Sequence, residues 1–116
     1  MTIERIGPAR RYSDLVIHGG RAYFSGYVPE NTPGAAIAVQ TRDVLDQIAD
    51  SLAEIGAGKA GLLQATIWLV DMGDFPAMNA VWDDWVEGAA PARATVQARL
   101  ADPAYRIEIQ VVAALG

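Results

Sequence analysis

The chain has no cysteine. That excludes disulfides, thiolate nucleophiles and cysteine-ligated zinc or iron–sulfur centres. Its one histidine, His18, excludes a multi-histidine metal site within a chain, and its one lysine, Lys59, leaves Schiff-base chemistry a single candidate. No apolar run approaches the roughly 18 residues of a membrane span. Glu4, Arg5, Arg10 and Arg11 stand where a secretion signal needs an apolar stretch. These absences predict a soluble cytoplasmic protein with no membrane partner. Basic residues are also scarce, 9 against 14 acidic, for a net charge of −5. Such a surface repels phosphate backbones on average, so nucleic acid is not an expected partner. Arginine, carboxylate, hydroxyl and backbone groups remain for chemistry.

What is present is a globular composition, 52% apolar and 20% charged over 116 residues. The length fits one domain spanning residues 1–116. Leu15–Ile17 and Arg21–Ser25 read as a hairpin around His18-Gly19-Gly20, whose glycines can supply the positive φ angles of a tight turn. Gly26–Gly34, with Pro29 and Pro33, reads as a loop. From about Ala36 to Ile55 the period is helical: Val44, Leu45, Ile48, Leu52 and Ile55 share one face, and Asp43, Asp46, Asp50 and Glu54 fall on a solvated one. Gly56 is the expected stop.

Ala65–Val70 reads as a strand. A second helix runs from an Asp74 N-cap, through Pro76 in its first turn, to Gly88, with Phe75, Met78, Val81, Trp82 and Trp85 at helical spacing. Strands follow at Ala94–Leu100 and Arg106–Leu115. The order ββαβαββ makes a two-layer α+β sandwich, a mixed sheet with two helices on one face. Alternation assigns Ile107, Ile109 and Val111, with Ala94, Val96 and Ala98, to the face under the helices. The other face then carries Arg106, Glu108 and Gln110, with Arg93, Thr95, Gln97 and Arg99, and either Trp68 or Ile67. Solvent can cover such a semi-polar face, and so can neighbouring subunits.

Several features have ordinary structural readings. Gly56-Ala-Gly-Lys-Ala60 follows a helix and lacks both the first glycine and the Ser/Thr of a phosphate loop. His18 reads as a solvated turn residue, Trp82 and Trp85 as core, and Asp83 and Asp84 as a helix's wet side. Arg93 and Glu108, placed on one face of strands expected to be neighbours, admit two readings. One is a cross-strand ion pair; the other is an anion-binding arginine facing a carboxylate that handles protons.

Tyr23-Phe-Ser-Gly26, Val28-Pro29, Gln40-Thr41, Val70-Asp-Met72, Asp74-Phe75, Met78-Asn79, Pro91-Ala-Arg93 and Ile107-Glu-Ile109 come in an order and spacing that resembles the RidA/YjgF family, whose older label is endoribonuclease L-PSP. Met78-Asn-x-x-Trp82-Asp-x-Trp85 is similar to its short, YoaB-like members. The resemblance implies a chorismate-mutase-like fold and a homotrimer whose sheets line a central barrel, with clefts between subunits. It implies cofactor-free, metal-free hydrolysis of reactive 2-imino and enamine acids, such as 2-iminopropanoate, to 2-keto acids and ammonia. A carboxylate-binding or chaperone-like role without turnover is its alternative. By position, Arg93 matches the arginine that grips the substrate carboxylate and Glu108 the carboxylate that positions water. Tyr12 matches a tyrosine at the pocket's edge, Gly26 and Asn79 match lining positions, and Thr95 stands where many members have cysteine. Arg10-Arg11, Asp14 and Tyr27 depart from the family pattern around that pocket.

Overall fold

A computed structural model describes residues 2–116. The sheet has six strands: β1 (Glu4–Pro8), β2 (Ser13–His18), β3 (Arg21–Phe24), β4 (Leu62–Leu69), β5 (Ala92–Gln97) and β6 (Ile107–Ala114). They lie in the order β1-β2-β3-β6-β4-β5. Only β4 and β5 pair in parallel; the other neighbours are antiparallel. Helices α1 (Ile37–Glu54) and α2 (Phe75–Val86) pack on one face. The two-layer mixed architecture is the expected one.

Its centre forms as the periodicities dictate. Val44, Leu45, Ile48 and Leu52 of α1 and Met78 of α2 meet Ile67 and Leu69 of β4 and Ile107, Ile109 and Val111 of β6, all at most 1% exposed. A side chain as deep as Ile109 contributes enough that truncation to alanine costs about 2–5 kcal/mol. Trp82 and Trp85 are buried beside them, with ring centroids 5.9 Å apart. The β2–β3 turn uses Gly19 (φ 60°) and Gly20 (φ 76°), a pair of positive φ angles that a side chain would strain. Two buried polar residues tie loops to α1. Gln40 accepts from the Arg106 amide at 2.7 Å and donates to the Ala104 carbonyl at 2.8 Å.

Asp43 is the second. It was expected on the solvated face, yet it is only 8% exposed. The segment 28–32 folds over it, and its carboxylate accepts from the Asn31 amide and side chain, from the Thr32 hydroxyl and from Gln47, at 2.8–3.1 Å. Burial alone would push this carboxyl up, but the four donors outweigh it and hold it below the usual range.

Three further expectations are corrected. The N-terminal residues add an edge strand, β1, so the order is βββαβαββ; its charged, glycine-broken sequence shows no alternation, and pairing with β2 supplies the order. Asp74 does occupy the N-cap position of α2 but makes no cap bond. Its side chain pairs with Arg106 at 2.7 Å, which turns Arg106 from the outer sheet face toward α2. The third is the parity of β5. Arg93 and Thr95 register with Ala65 and Ile67, so they face the helices, while Ala94 and exposed Val96 face outward.

The outer face therefore reads Glu108–Trp68–Val96 across one row and Gln110–Thr66–Ala94 across the next. Of the two candidates for this face it is Trp68 that faces out. Tyr23 and Val96, 44% and 45% exposed, extend the row of apolar groups on this uncovered face. Among the described residues no helix is long and apolar enough to cross a membrane.

Candidate functional site

The edge strand β5 and the helix α2 together hold Arg93. Phe75, Asn79 and Trp82 recur at positions i, i+4 and i+7, so α2 presents them in one stripe toward β5. Asn79 accepts from Arg93 Nη1 at 2.8 Å. The guanidinium carbon lies 5.7 Å from the Phe75 ring centroid and 5.4 Å from that of Trp82. The guanidinium carbon thus lies over both rings, within reach of a cation–π contact with each. Among the described residues no carboxylate pairs with Arg93; the ion pairs are Arg106–Asp74 and Arg42–Asp84. Thr95 stands two residues on along the same face, with its hydroxyl buried and without a partner. The β5 edge thus carries a guanidinium without a carboxylate partner and a buried hydroxyl without a hydrogen-bond partner, with the Asn79 amide of α2 beside the guanidinium.

Glu108 occupies the other face. It is half-buried opposite Trp68, and the loss of water raises its carboxyl above the ordinary range. Gly26 lies directly against it: a Cβ there would overlap the Glu108 carboxylate. That contact means that a side chain here would have to displace the Glu108 carboxylate. Gly26 is pinned on both sides, because Ser25 bonds the Asp14 carbonyl through its amide at 2.9 Å, and Tyr27 exchanges two backbone bonds with Ile109 at 2.8 and 3.0 Å. Beside it opens a cavity of about 250 Å3 lined in part by Tyr12, Asp14, Gly26, Tyr27 and Glu30. Tyr12 stands at its mouth, 64% exposed.

The expected site residues thus fall into two groups. Gly26 touches Glu108 and also lines the cavity that Tyr12 lines, which Glu108 itself does not line, while Arg93, Asn79 and Thr95 gather elsewhere. The expected convergence of Arg93 and Glu108 within one chain does not occur: β4 separates their strands and they face opposite ways. A cross-strand ion pair is excluded by the same geometry. Trp82 is buried as expected, and the sequence did not show that it and Phe75 also lie under Arg93; the i, i+4, i+7 stripe with Asn79 is the signal that finds them. His18 is exposed, and its Nδ1 lies 3.1 Å from the Thr2 carbonyl. Lys59 donates to the Trp85 carbonyl at 2.9 Å and closes the end of α2. Among the described residues no group of three or more metal-ligating side chains is assembled.

Two helices on a mixed six-stranded sheet, with an arginine that has no carboxylate partner on one face and a desolvated carboxylate on the other, define a small α+β protein with two separate polar clusters. The chain belongs to the RidA/YjgF family. The family model described as Endoribonuclease L-PSP matches residues 2–115. The RutC family protein YoaB of Escherichia coli is 49% identical over 116 residues, covering 99% of this chain and 100% of its own. A crystal structure of a YjgF-family protein from Neisseria meningitidis superposes with a TM-score of 0.95 at 50% identity, covering 100% of this chain and 97% of the other. A goat protein named 2-iminobutanoate/2-iminopropanoate deaminase is 29% identical over 117 residues, covering 96% of this chain and 82% of its own.

Proposed function

We propose that the chain hydrolyses reactive 2-imino acids and their enamine tautomers, 2-iminopropanoate among them, to 2-keto acids and ammonia. The reaction needs no cofactor and takes place at clefts between the subunits of a cytoplasmic homotrimer. The observation that carries this reading is the Arg93 guanidinium, braced by Asn79 and two aromatic faces yet free of any carboxylate of its own. The goat relative's name supports the substrate class.

The chemistry suits these groups. An imine carbon is already electrophilic, so neither a covalent nucleophile nor a Lewis acid is required. Arg93 grips the substrate carboxylate through two parallel N–H bonds, with the Thr95 hydroxyl beside them, and this fixes the imine carbon. Glu108 takes a proton from water as the water oxygen bonds to the carbon of the protonated imine, forming a neutral carbinolamine. It returns that proton to nitrogen, then accepts the hydroxyl proton as C=O forms and the C–N bond breaks, and passes it to the departing ammonia, which leaves as ammonium. A carboxyl raised above its ordinary range by desolvation is a stronger base for the first step. Since Arg93 and Glu108 of one chain face opposite ways, each cleft combines Arg93, Asn79 and Thr95 of one subunit with Glu108, Gly26 and Tyr12 of the next. The apolar groups on the outer face, Tyr23 and Val96 among them, are the surface such an assembly covers.

The test is ammonia release from 2-iminopropanoate generated in situ by an amino-acid oxidase. A rate above that of the protein-free reaction at micromolar protein is expected, and equal rates overturn hydrolysis. Saturable keto-acid binding with no added rate would replace it by carboxylate binding alone.

A further inference from the structure

Tyr27 follows the Ser-Gly pair and departs from the family pattern, and its surroundings give it work. Its ring packs on Phe24, centroids 5.6 Å apart, and its phenol meets the Ser51 hydroxyl of α1 at 2.8 Å. Its amide and carbonyl both bond Ile109, the residue after Glu108. The side chain points to the helix side of the sheet, while the Gly26 backbone beside it covers the Glu108 carboxylate on the other. A rigid tie therefore runs from α1 through Tyr27 to the peptide that lies on Glu108.

Resting on the hydrolytic reading above, we propose that Tyr27 is a positioning residue: its bond to Ser51 holds the Gly26 peptide against Glu108 and keeps water off that carboxylate. The groups facing Glu108 in its own chain are Gly26, Trp68 and Gln110, none of which ionises. Those facing the phenol are Asp14 of β2, Glu30 of the loop and Glu54 of α1, all acidic, so the phenol stays protonated and its bond to Ser51 persists at neutral pH. Burial is the main reason the phenol's affinity for its proton is raised. Among the described residues of its own chain no charge lies beside Glu108. The Arg93 that the proposed cleft brings from the next subunit is the same in wild type and in the variants below, so a change of midpoint reads the cover.

The variants Tyr27→Phe and Ser51→Ala each remove this one bond and keep the packing against Phe24. The readout is the titration midpoint of Glu108, followed by carbon NMR of its labelled carboxyl in the substrate-free protein, with Glu108→Gln to assign the signal. Loosening the cover hydrates the ionised form, so the midpoint should fall by about half a pH unit or more in both variants. Ser51→Thr, which keeps the hydroxyl, should restore it. The acid limb of kcat/KM should move by the same amount. If the midpoint stays at the wild-type value in Tyr27→Phe and Ser51→Ala while the melting temperature drops, Tyr27 only packs and the proposal is wrong. The titration needs no turnover, so an inactive wild type would overturn the hydrolytic reading and leave this result to stand or fall by itself.

Discussion

Arg93 and Glu108 stand on opposite faces of one sheet, with β4 between their strands. At a strand spacing of ~4.8 Å their strands are about 10 Å apart, and Arg93 is also displaced along β5 from Val96, the residue in the row of Glu108. No rotamer change within one chain brings the two groups onto one small substrate.

That geometry makes complementation decisive. Co-expressed Arg93→Ala and Glu108→Gln chains, each inactive alone, should regain activity, because some clefts then pair an intact Arg93 with an intact Glu108. For random mixing around a closed ring, about a quarter of the clefts are intact. Light scattering should give three times the monomer mass. Activity no higher than that of the single variants would place both groups of any working site in one chain.

Arg93→Lys keeps the charge and loses the planar fork, the Asn79 geometry and the fit of the guanidinium over Phe75 and Trp82. A lost charge-assisted bidentate contact costs roughly 2–4 kcal/mol, so kcat/KM should fall on the order of 30- to 1000-fold. Keto-acid affinity, measured by calorimetry, should fall with it. An unchanged affinity would remove Arg93 from the anion site.

The architecture was legible in the sequence and the site only half so, for a physical reason. Central strands such as β6 bury one face, and there the alternation of Ile107, Ile109 and Val111 reads correctly. The edge strand β5 inverts the rule. Its inward side meets the flank of α2, where Arg93 finds aromatic faces and an amide, and its small apolar residues go outward to a face the chain leaves uncovered. Asp43 inverts it likewise, because a helical wheel cannot see that a distant loop will fold its donors over one carboxylate. β1 carries no periodic signal at all and is ordered by its partner.

Glu108 should show itself in stability as well as in rate. Its carboxyl is raised in the fold by loss of water, so its contribution to stability is present below the unfolded carboxylate range and lost as pH rises through the folded value. Glu108→Gln should therefore raise the melting temperature at neutral pH while lowering kcat by about 100-fold or more. The stabilisation should vanish in acid. A variant less stable than wild type at pH 7 would mean that the ionised carboxylate is supported by the fold rather than stranded in it.

Asp43 has the opposite sign. Held low by its four donors, it contributes stability that is present above the unfolded carboxylate range and lost as pH falls through its folded value. Asp43→Ala strands Asn31, Thr32 and Gln47, which should cost about 1–3 kcal/mol at pH 7. The variant should also flatten the acid limb of the melting curve. Hydrogen exchange should report faster opening at the Asn31 amide, which Asp43 holds at 3.0 Å. Exchange there at the wild-type rate would show that the loop is held by something else.

Gly26→Ala tests the point where fold and chemistry meet. The added Cβ would overlap the Glu108 carboxylate, and the neighbouring Cγ lies only 3.1 Å from its position. Since Tyr27 and Ser25 pin the backbone on either side, the carboxylate is the part that must move. Overpacking of this kind costs about 1–3 kcal/mol, which leaves the chain folded. Displacing the base from its water should nevertheless lower kcat by about 100-fold or more. Gly58→Ala is the control, because Gly58 has an extended backbone with open space around its Cβ position. That change should leave activity intact and stabilise slightly by restricting the unfolded chain. If Gly26→Ala melts like the wild type and turns over at the wild-type rate, the carboxylate does not need the place it occupies, and Glu108 is not the base.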